Sequence, residues 1–319
     1  VSEPVDEPNP VLVEVVRSGF TESVHRGSLV VLDPAGRTAL ALGDVTSPVF
    51  PRSSNKPMQA LGMLRAGLEL DDEADLALVC ASHSGEPVHV DRVLALLARH
   101  GLTEDDLGCP QDWPLHEDSR GEAQRRVTMN CSGKHAGMLA TCVQQGWDTA
   151  SYLDPAHPLQ VVIAKVVEEL TGAPIAEVGV DGCGAPLFAL SLTDLAGAIS
   201  RLVTAAPGTD LRRVADAMRA HPHLVAGTGR VDTDLMAAIP GLLVKGGAEG
   251  VHIMALPTGT TLALKIDDGA PRARTPLLAA ILAALGIDPP PLNTAILGGG
   301  EPVGEVRLPD DLIPSALRA

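Results

Sequence analysis

Hydrophobic positions along the chain fall into three regimes. From Val11 to Asp44 they come as short β-branched runs: VLVEVVRSG (Val11–Gly19), SVHRGSLVVLD (Ser23–Asp33) and TALALGD (Thr38–Asp44). Asp33-Pro34-Ala35-Gly36 carries turn chemistry, so this segment predicts an antiparallel meander of three strands. After Pro57 the period becomes that of a helix. MQALGMLRAGL starts at Met58; Val90, Val93, Leu94 and Leu97 follow Pro87 and stop at Gly101. Met138, Leu139, Cys142 and Val143 stop at Gly146, and Leu159, Ile163, Val166, Val167 and Leu170 run between Pro158 and Gly172. Proline in the first turn and glycine just past the last are helix punctuation. Two further helices are expected over Leu192–Val203 and Asp210–Ala220. Strand patterns return in LLVKGG (Leu242–Gly247), VHIMALP (Val251–Pro257) and TLALKIDD (Thr261–Asp268), and a last helix is expected from Thr275 to Gly286. The tail PLNTAILGGGEPVGEVRLP, rich in Gly and Pro, yields no assignment.

Strands, then helices, then strands and a helix predict an α/β chain of the α+β kind. One antiparallel sheet would be built from the N- and C-terminal segments, with a central helical lobe packed on it. Residues 1–319 are expected to form a single two-lobed domain. Segments 11–50 and 240–319 make the sheet lobe and 51–239 the mainly helical lobe, with a substrate cleft between them.

Composition narrows the function. With 24 Lys and Arg against 40 Asp and Glu the formal net charge is −16, which repels nucleic acid and anionic membranes and argues against both as partners. Phe, Trp and Tyr total six of 319 residues, so the core must be aliphatic, which weakens any reading based on stacking of bases or sugars. No run approaches the roughly 18 apolar residues of a membrane span. The start, VSEPVDEPNP, has neither the basic nor the apolar region of a signal peptide. Five cysteines, an odd number, do not suggest a disulfide framework. A soluble cytoplasmic protein with reduced thiols is expected.

Four candidate groups of residues, spread over five segments, could carry chemistry. In RSSNKP (Arg52–Pro57), Ser53 and Lys56 stand three apart at a helix start and share a face. A buried lysine can take the proton of a serine hydroxyl, and the helix N-terminus favours the alkoxide; a capping serine beside a solvated lysine would read the same. VCASHSGEP (Val79–Pro87) sets Ser82, His83 and Ser84 on a turn before a helix, either as functional groups or as caps. NCSGKHAGML (Asn130–Leu139) brings Cys131, Lys134 and His135 to a helix opening, and VDGCGAPLF (Val180–Phe188) adds Asp181 and Cys183. Without a C-x-x-C pair these are either a loose metal site or two buried thiols. In LLVKGGAEGV (Leu242–Val251), Lys245 ends an apolar strand before two glycines, either facing a cleft or exposed on a hairpin.

Together, RSSNKPMQ, CASHSGE, NCSGKHAGML, DGCGAP and KGGAEGV resemble the asparaginase II family, the Rhizobium etli-type L-asparaginases, from about Val11 to the C-terminus. The resemblance implies a fold similar to serine β-lactamases and penicillin-binding proteins, which also pair S-x-x-K on a helix with Lys-Gly on a late strand. It implies two Ser-Lys pairs, Ser53 with Lys56 and Ser82 with Lys245. It implies zinc ligands Cys131, Lys134 and Cys183, substrate contacts from Arg52, His83, Asp181 and Gly246, and a homodimer. The expected reaction is hydrolysis of L-asparagine to L-aspartate and ammonia. Ser53 attacks, Lys56 acts as base, and the oxyanion is held by the Ser53 N–H and an N–H of the Lys245 strand. Two other readings remain. One is a β-lactamase- or peptidase-like serine acyl transferase, which needs a cleft open to a bulky substrate. The other is a metal- or amino-acid-binding protein without turnover.

Overall fold

The structure, a computed structural model, describes residues 9–314 and 317. Three strands open it: β1 (Val11–Arg17), β2 (Phe20–Leu32) and β3 (Thr38–Leu42). The central segment holds α1 (Lys56–Arg65), α2 (Glu73–Val79), α3 (Pro87–Arg99), α4 (Ser132–Gln145) and α5 (Pro158–Thr171). A short hairpin of β4 (Val178–Val180) and β5 (Pro186–Phe188) precedes α6 (Leu192–Thr204), α7 (Asp210–Ala220), α8 (Pro222–Val225) and α9 (Val231–Ala238). The chain ends in β6 (Leu243–Gly246), β7 (Val251–Ala255), β8 (Thr261–Ile266), α10 (Arg274–Ala284), β9 (Ala295–Gly298) and β10 (Glu301–Arg307).

The main sheet runs β6-β7-β8-β2-β1-β10-β9, with β3 also on β2, and every pairing is antiparallel. Both ends of the chain therefore share one sheet, with β1 between β2 and β10 (Glu14 opposite Arg307). The long strand β2 makes this possible. Its first half, Phe20–Arg26, pairs with β1, and its second half, Gly27–Leu32, pairs with β8.

Helix α1 is buried from Lys56 to Leu64 and packs on α4, α5 and α7, so it forms the axis of the helical region. A glycine sets its distance from α5: a Cβ on Gly62 would fall 2.9 Å from the Ile163 Cα. Helix α6 lies against β2, β7 and β8 and joins the helices to the sheet. With so few aromatics, Leu, Val, Ile, Ala and Met fill this core, each large aliphatic side chain contributing about 1.5–3 kcal/mol on burial.

Several elements differ from the sequence expectation. Helix α1 begins at Lys56 rather than Met58, behind a 3-10 turn over Arg52–Asn55. The apolar run before Ser82, for which the sequence allowed either strand or helix, is a helix, α2, capped by Asp72, whose carboxylate accepts from Ala74 N at 2.9 Å. The tail forms the β9–β10 hairpin, whose place is fixed by pairing with β1 nearly the whole chain away. Among the described residues no helix is long and apolar enough to cross a membrane.

Candidate active site

Three lysines, Lys56, Lys134 and Lys245, are each 1% exposed. A buried amine is costly unless its N–H groups find acceptors, and two of the three find the same one. Lys56, in the first turn of α1, donates from Nζ to Ser82 Oγ at 3.0 Å and to the Ala81 carbonyl. Lys245, on β6, lies with Nζ 2.9 Å from Ser82 Oγ and donates to the Gly246 carbonyl at 2.7 Å. Ser82 is held in an extended segment between α2 and α3: its N–H donates to Val225 O at 3.0 Å, and that of His83 to Asn130 O at 3.2 Å. Neither Ser82 nor Ser84 caps α3; its N-cap is Glu86, and Ser84 Oγ donates to Ala226 O.

Ser53 lines the same cleft as Ser82. It sits in the 3-10 turn just after Arg52, whose φ of 51° is left-handed and strained for a side-chain-bearing residue. The hydrogen bond expected between Ser53 and Lys56 is not formed. Lys56 turns inward to Ser82 as the 3-10 turn passes into α1, whereas Ser53 stays half-buried on the wall. Among the described residues the Ser53 hydroxyl makes no side-chain hydrogen bond, and the N-cap of α1 is Asn55. The end of β6 presses on this turn: a Cβ on Gly247 would lie 2.7 Å from Pro51 O and 3.3 Å from Ser54 N. The glycine after the Lys245-Gly246 pair thus lets the lysine strand meet the serine turn.

The electrostatics distinguish the groups. Burial brings Lys245 down to about 7, and the nearby Lys56 and Arg230 push the same way, against the opposing pull of Asp232. Burial alone would raise Asp232. His252, Lys245 and the Gly246 N–H, which donates to Asp232 Oδ2 at 2.7 Å, instead hold it far below the usual carboxylate range. His252 Nε2 is 3.0 Å from Asp232 Oδ1 but off the hydrogen-bond direction, and burial keeps this imidazole low. His252, Lys245 and the Gly246 N–H thus answer the buried Asp232 carboxylate together.

The cleft has a volume of about 270 Å³; its wall includes Ser53, Ser82, Asn130, Arg230, Asp232 and Gly246. Of the residues singled out in the sequence, Ser53, Ser82 and Gly246 face it, with Lys56 and Lys245 beneath. His83 does not: it is fully buried, its Nε2 is 2.9 Å from Ser132 Oγ, and its Nδ1 accepts from Gly85 N. Arg52 turns away to an adjoining groove, where Nε donates to Asp181 Oδ1 at 2.8 Å and Nη1 lies 3.7 Å from Glu249. Asn130, Arg230, Asp232, His252 and Arg274 were not found from the sequence. The only local sign was Gly227-Thr228-Gly229 ahead of Arg230, a glycine-flanked turn opening a helix.

Cys131, Lys134 and Cys183 form a second cluster. Lys134 Nζ donates to Cys183 Sγ at 3.2 Å, and Asp181 Oδ2 is 3.5 Å from the same sulfur. The nearby Cys131 thiol, with help from Lys134, outweighs burial and holds the Cys183 thiol well below its ordinary range, while Cys131 is correspondingly raised. Burial would lower Lys134, but Cys183, Cys131 and Asp181 more than reverse this. These are not two inert apolar thiols. Two sulfurs and an amine close together, once they give up their protons on metal binding, are a donor set of the kind zinc takes. Lysine is needed as the third donor: among the described residues no group of three or more His, Cys, Asp or Glu could hold a metal. Asn130 joins the two clusters, lining the cleft while its Oδ1 lies 3.1 Å from Cys131 Sγ.

Comparison with known proteins gave one family match: the model described as L-asparaginase II fits residues 13–308. No curated protein matched in sequence. Among solved structures, a β-lactamase from Mycobacterium bovis is 16% identical at a TM-score of 0.43, over 77% of this chain and 89% of its own. A hydrolase described as having promiscuous acyltransferase activity is 14% identical at 0.41, over 76% and 88%. Simvastatin synthase from Aspergillus terreus is 14% identical at 0.37, over 78% and 87%.

Proposed function

We propose that this chain, which belongs to the L-asparaginase II family, hydrolyses the side-chain amide of L-asparagine to L-aspartate and ammonia through a Ser-Lys acyl-enzyme. Family membership makes it an amidohydrolase-type enzyme; the substrate and the roles of residues are our reading. The observation that carries it is the convergence of Lys56 and Lys245 on Ser82 Oγ, beside a cleft that Ser53 also lines.

Ser53 is the nucleophile. Its oxygen makes no side-chain hydrogen bond among the described residues, whereas that of Ser82 is engaged by two amines and suits a relay. Ser82 passes its proton to neutral Lys245 and takes the proton of Ser53 as Ser53 attacks the amide carbon. Lys56 fixes Ser82 for this exchange. The backbone N–H groups of Gly246 and Gly247 are engaged by Asp232 and Val251 O. The oxyanion is therefore received by the N–H groups of Ser53 and Ala248, which have no other partner among the described residues. The proton returns through Ser82 to the leaving nitrogen, ammonia departs, and water cleaves the ester by the same path.

A cavity of about 270 Å³ suits a small amino acid better than a bulky lactam, since sites for drug-sized ligands span about 300–1,000 Å³. Cys131, Lys134 and Cys183 would hold zinc, which when bound supplies a fixed positive charge that orients substrate. Exposed Val178 and Val180 on the β4–β5 hairpin, with Phe50 beside them, support assembly as a homodimer, which light scattering tests.

The test is ammonia release from L-asparagine by the purified protein, with L-glutamine and a chromogenic β-lactam in parallel. Sustained release with matching L-aspartate supports the reading. Lactam hydrolysis without ammonia would replace it with a general acyl transferase, and no turnover of any of the three with a binding protein.

A further inference from the structure

Arg230 stands on the cleft wall, half-buried, at the N-cap of α9. It makes no ion pair among the described residues, in a chain of net charge −16. Its one side-chain hydrogen bond, from Nη1 to Ser84 Oγ, is long at 3.5 Å. The neighbouring arginines are engaged: Arg274 donates to Gly247 O at 2.8 Å and Val251 O at 3.3 Å, and Arg52 to Asp181.

The nearby carboxylates are also taken. Glu86 accepts from Thr228 N and Thr228 Oγ1, both at 2.8 Å, and Asp232 is held by Gly246 N and beside His252. The same contacts hold the segment leading to Arg230 in place. Thr233 Oγ1 adds to them, accepting from Gly227 N at 3.1 Å and donating to Gly227 O at 2.7 Å. A half-buried guanidinium on a cleft wall, carried by a segment held in this way and with no protein anion among the described residues to answer it, suits a ligand anion, and its planar fork matches a carboxylate.

We infer that Arg230 is the carboxylate-binding residue of the cleft, holding the α-carboxylate of a small amino acid while the side chain reaches Ser53. This rests on the reading that the substrate is an amino-acid amide. It makes Arg230 a specificity residue: simple amides without an α-carboxylate would be poor substrates.

The test compares binding of L-aspartate and β-alanine, the same molecule without its α-carboxylate, to the full-length protein by calorimetry. Wild type should bind L-aspartate about 10- to 100-fold more tightly, the scale of a charge-assisted contact. Arg230→Met should bring the ratio within about 3-fold by weakening L-aspartate alone, with Arg230→Lys between the two. Unchanged β-alanine binding shows that the variant is folded. The inference is overturned if wild type does not distinguish the ligands, if Arg230→Met keeps the ratio, or if it weakens both ligands alike. Ammonia release from L-asparagine is a separate readout. Its absence in wild type defeats the proposed function while the binding ratio still decides Arg230, and its presence with an unchanged ratio defeats Arg230 alone.

Discussion

Lys245 Nζ lies 2.9 Å from Ser82 Oγ, although 163 residues separate them in the chain. Lys56 reaches the same oxygen from α1 at 3.0 Å. A hydroxyl between two amines, one of them brought down to about 7 by burial, can accept and release a proton near neutral pH. Buried lysines elsewhere in a protein stay in place through ion pairs; these two are held by a serine and two carbonyls.

The pH dependence follows from Lys245. It works as a base only when neutral, and its lowered value puts that change near pH 7. The kcat/KM for L-asparagine should rise with pH through about 7 and stay high on the alkaline side. Asp232 favours charged Lys245, so Asp232→Asn removes a force that raises the lysine's pKa, and the acid limb should move to lower pH by ~1 unit. A limb that stays in place, measured over full pH–rate profiles of both proteins, would exclude Lys245 as the titrating group.

Replacing the buried amines should separate activity from stability. Lys56→Met and Lys245→Met keep the aliphatic stem. Lys56→Met removes a polar group that is costly to bury, so its melting temperature should hold or rise; Lys245→Met also takes a nearby cation from the buried Asp232, so its melting temperature should fall. Turnover should fall about 10²- to 10⁴-fold in each, and similarly in Ser82→Ala. Thermal denaturation and ammonia release on the same preparations check this; a variant with near-normal turnover would remove that residue from the relay.

Gly247 offers a steric test. A Cβ there would stand 2.7 Å from Pro51 O, so Gly247→Ala must push β6 away from the turn that carries Ser53. A loss of about 1–3 kcal/mol is expected for such overpacking, read by denaturant unfolding. A fall in kcat of at least about 10-fold should accompany it, because a displacement near 1 Å is enough to disturb reacting groups. Full activity would mean that the contact between strand and turn does not set the geometry of Ser53.

The metal proposal is checked by composition. Cys131→Ser and Cys183→Ser each exchange a soft donor for a hard one and should lower zinc content after exhaustive dialysis. Stoichiometric zinc in both variants, or none in wild type, would remove the site.

The parts of this site that were legible in the sequence are those whose partners lie close in the chain. Pro57 and the apolar period behind it marked α1, and the S-x-x-K spacing marked Ser53 and Lys56. The glycines after Lys245 signalled a close approach, and Gly247 makes one. What could not be read was which serine Lys56 would serve. That depends on the 3-10 turn over Arg52–Asn55 and on the Ser82 segment being drawn under α1, neither of which leaves a local pattern. Asp232, His252 and Arg230 were missed for the same reason: each sits in ordinary surroundings, and they meet only because α9 docks on β6 through the Gly246 N–H. The tail was unreadable because pairing with β1, not its own composition, makes β10 a strand.

The central claim is that Ser53 carries the acyl group while Ser82 carries only protons. Acid quenching of wild-type enzyme during steady turnover of L-asparagine, followed by proteolysis and peptide mass spectrometry, tests it most directly. An aspartyl ester on the peptide containing Ser53, absent from Ser53→Ala, is the result expected. An ester on the peptide containing Ser82, or turnover that persists in Ser53→Ala, would contradict it.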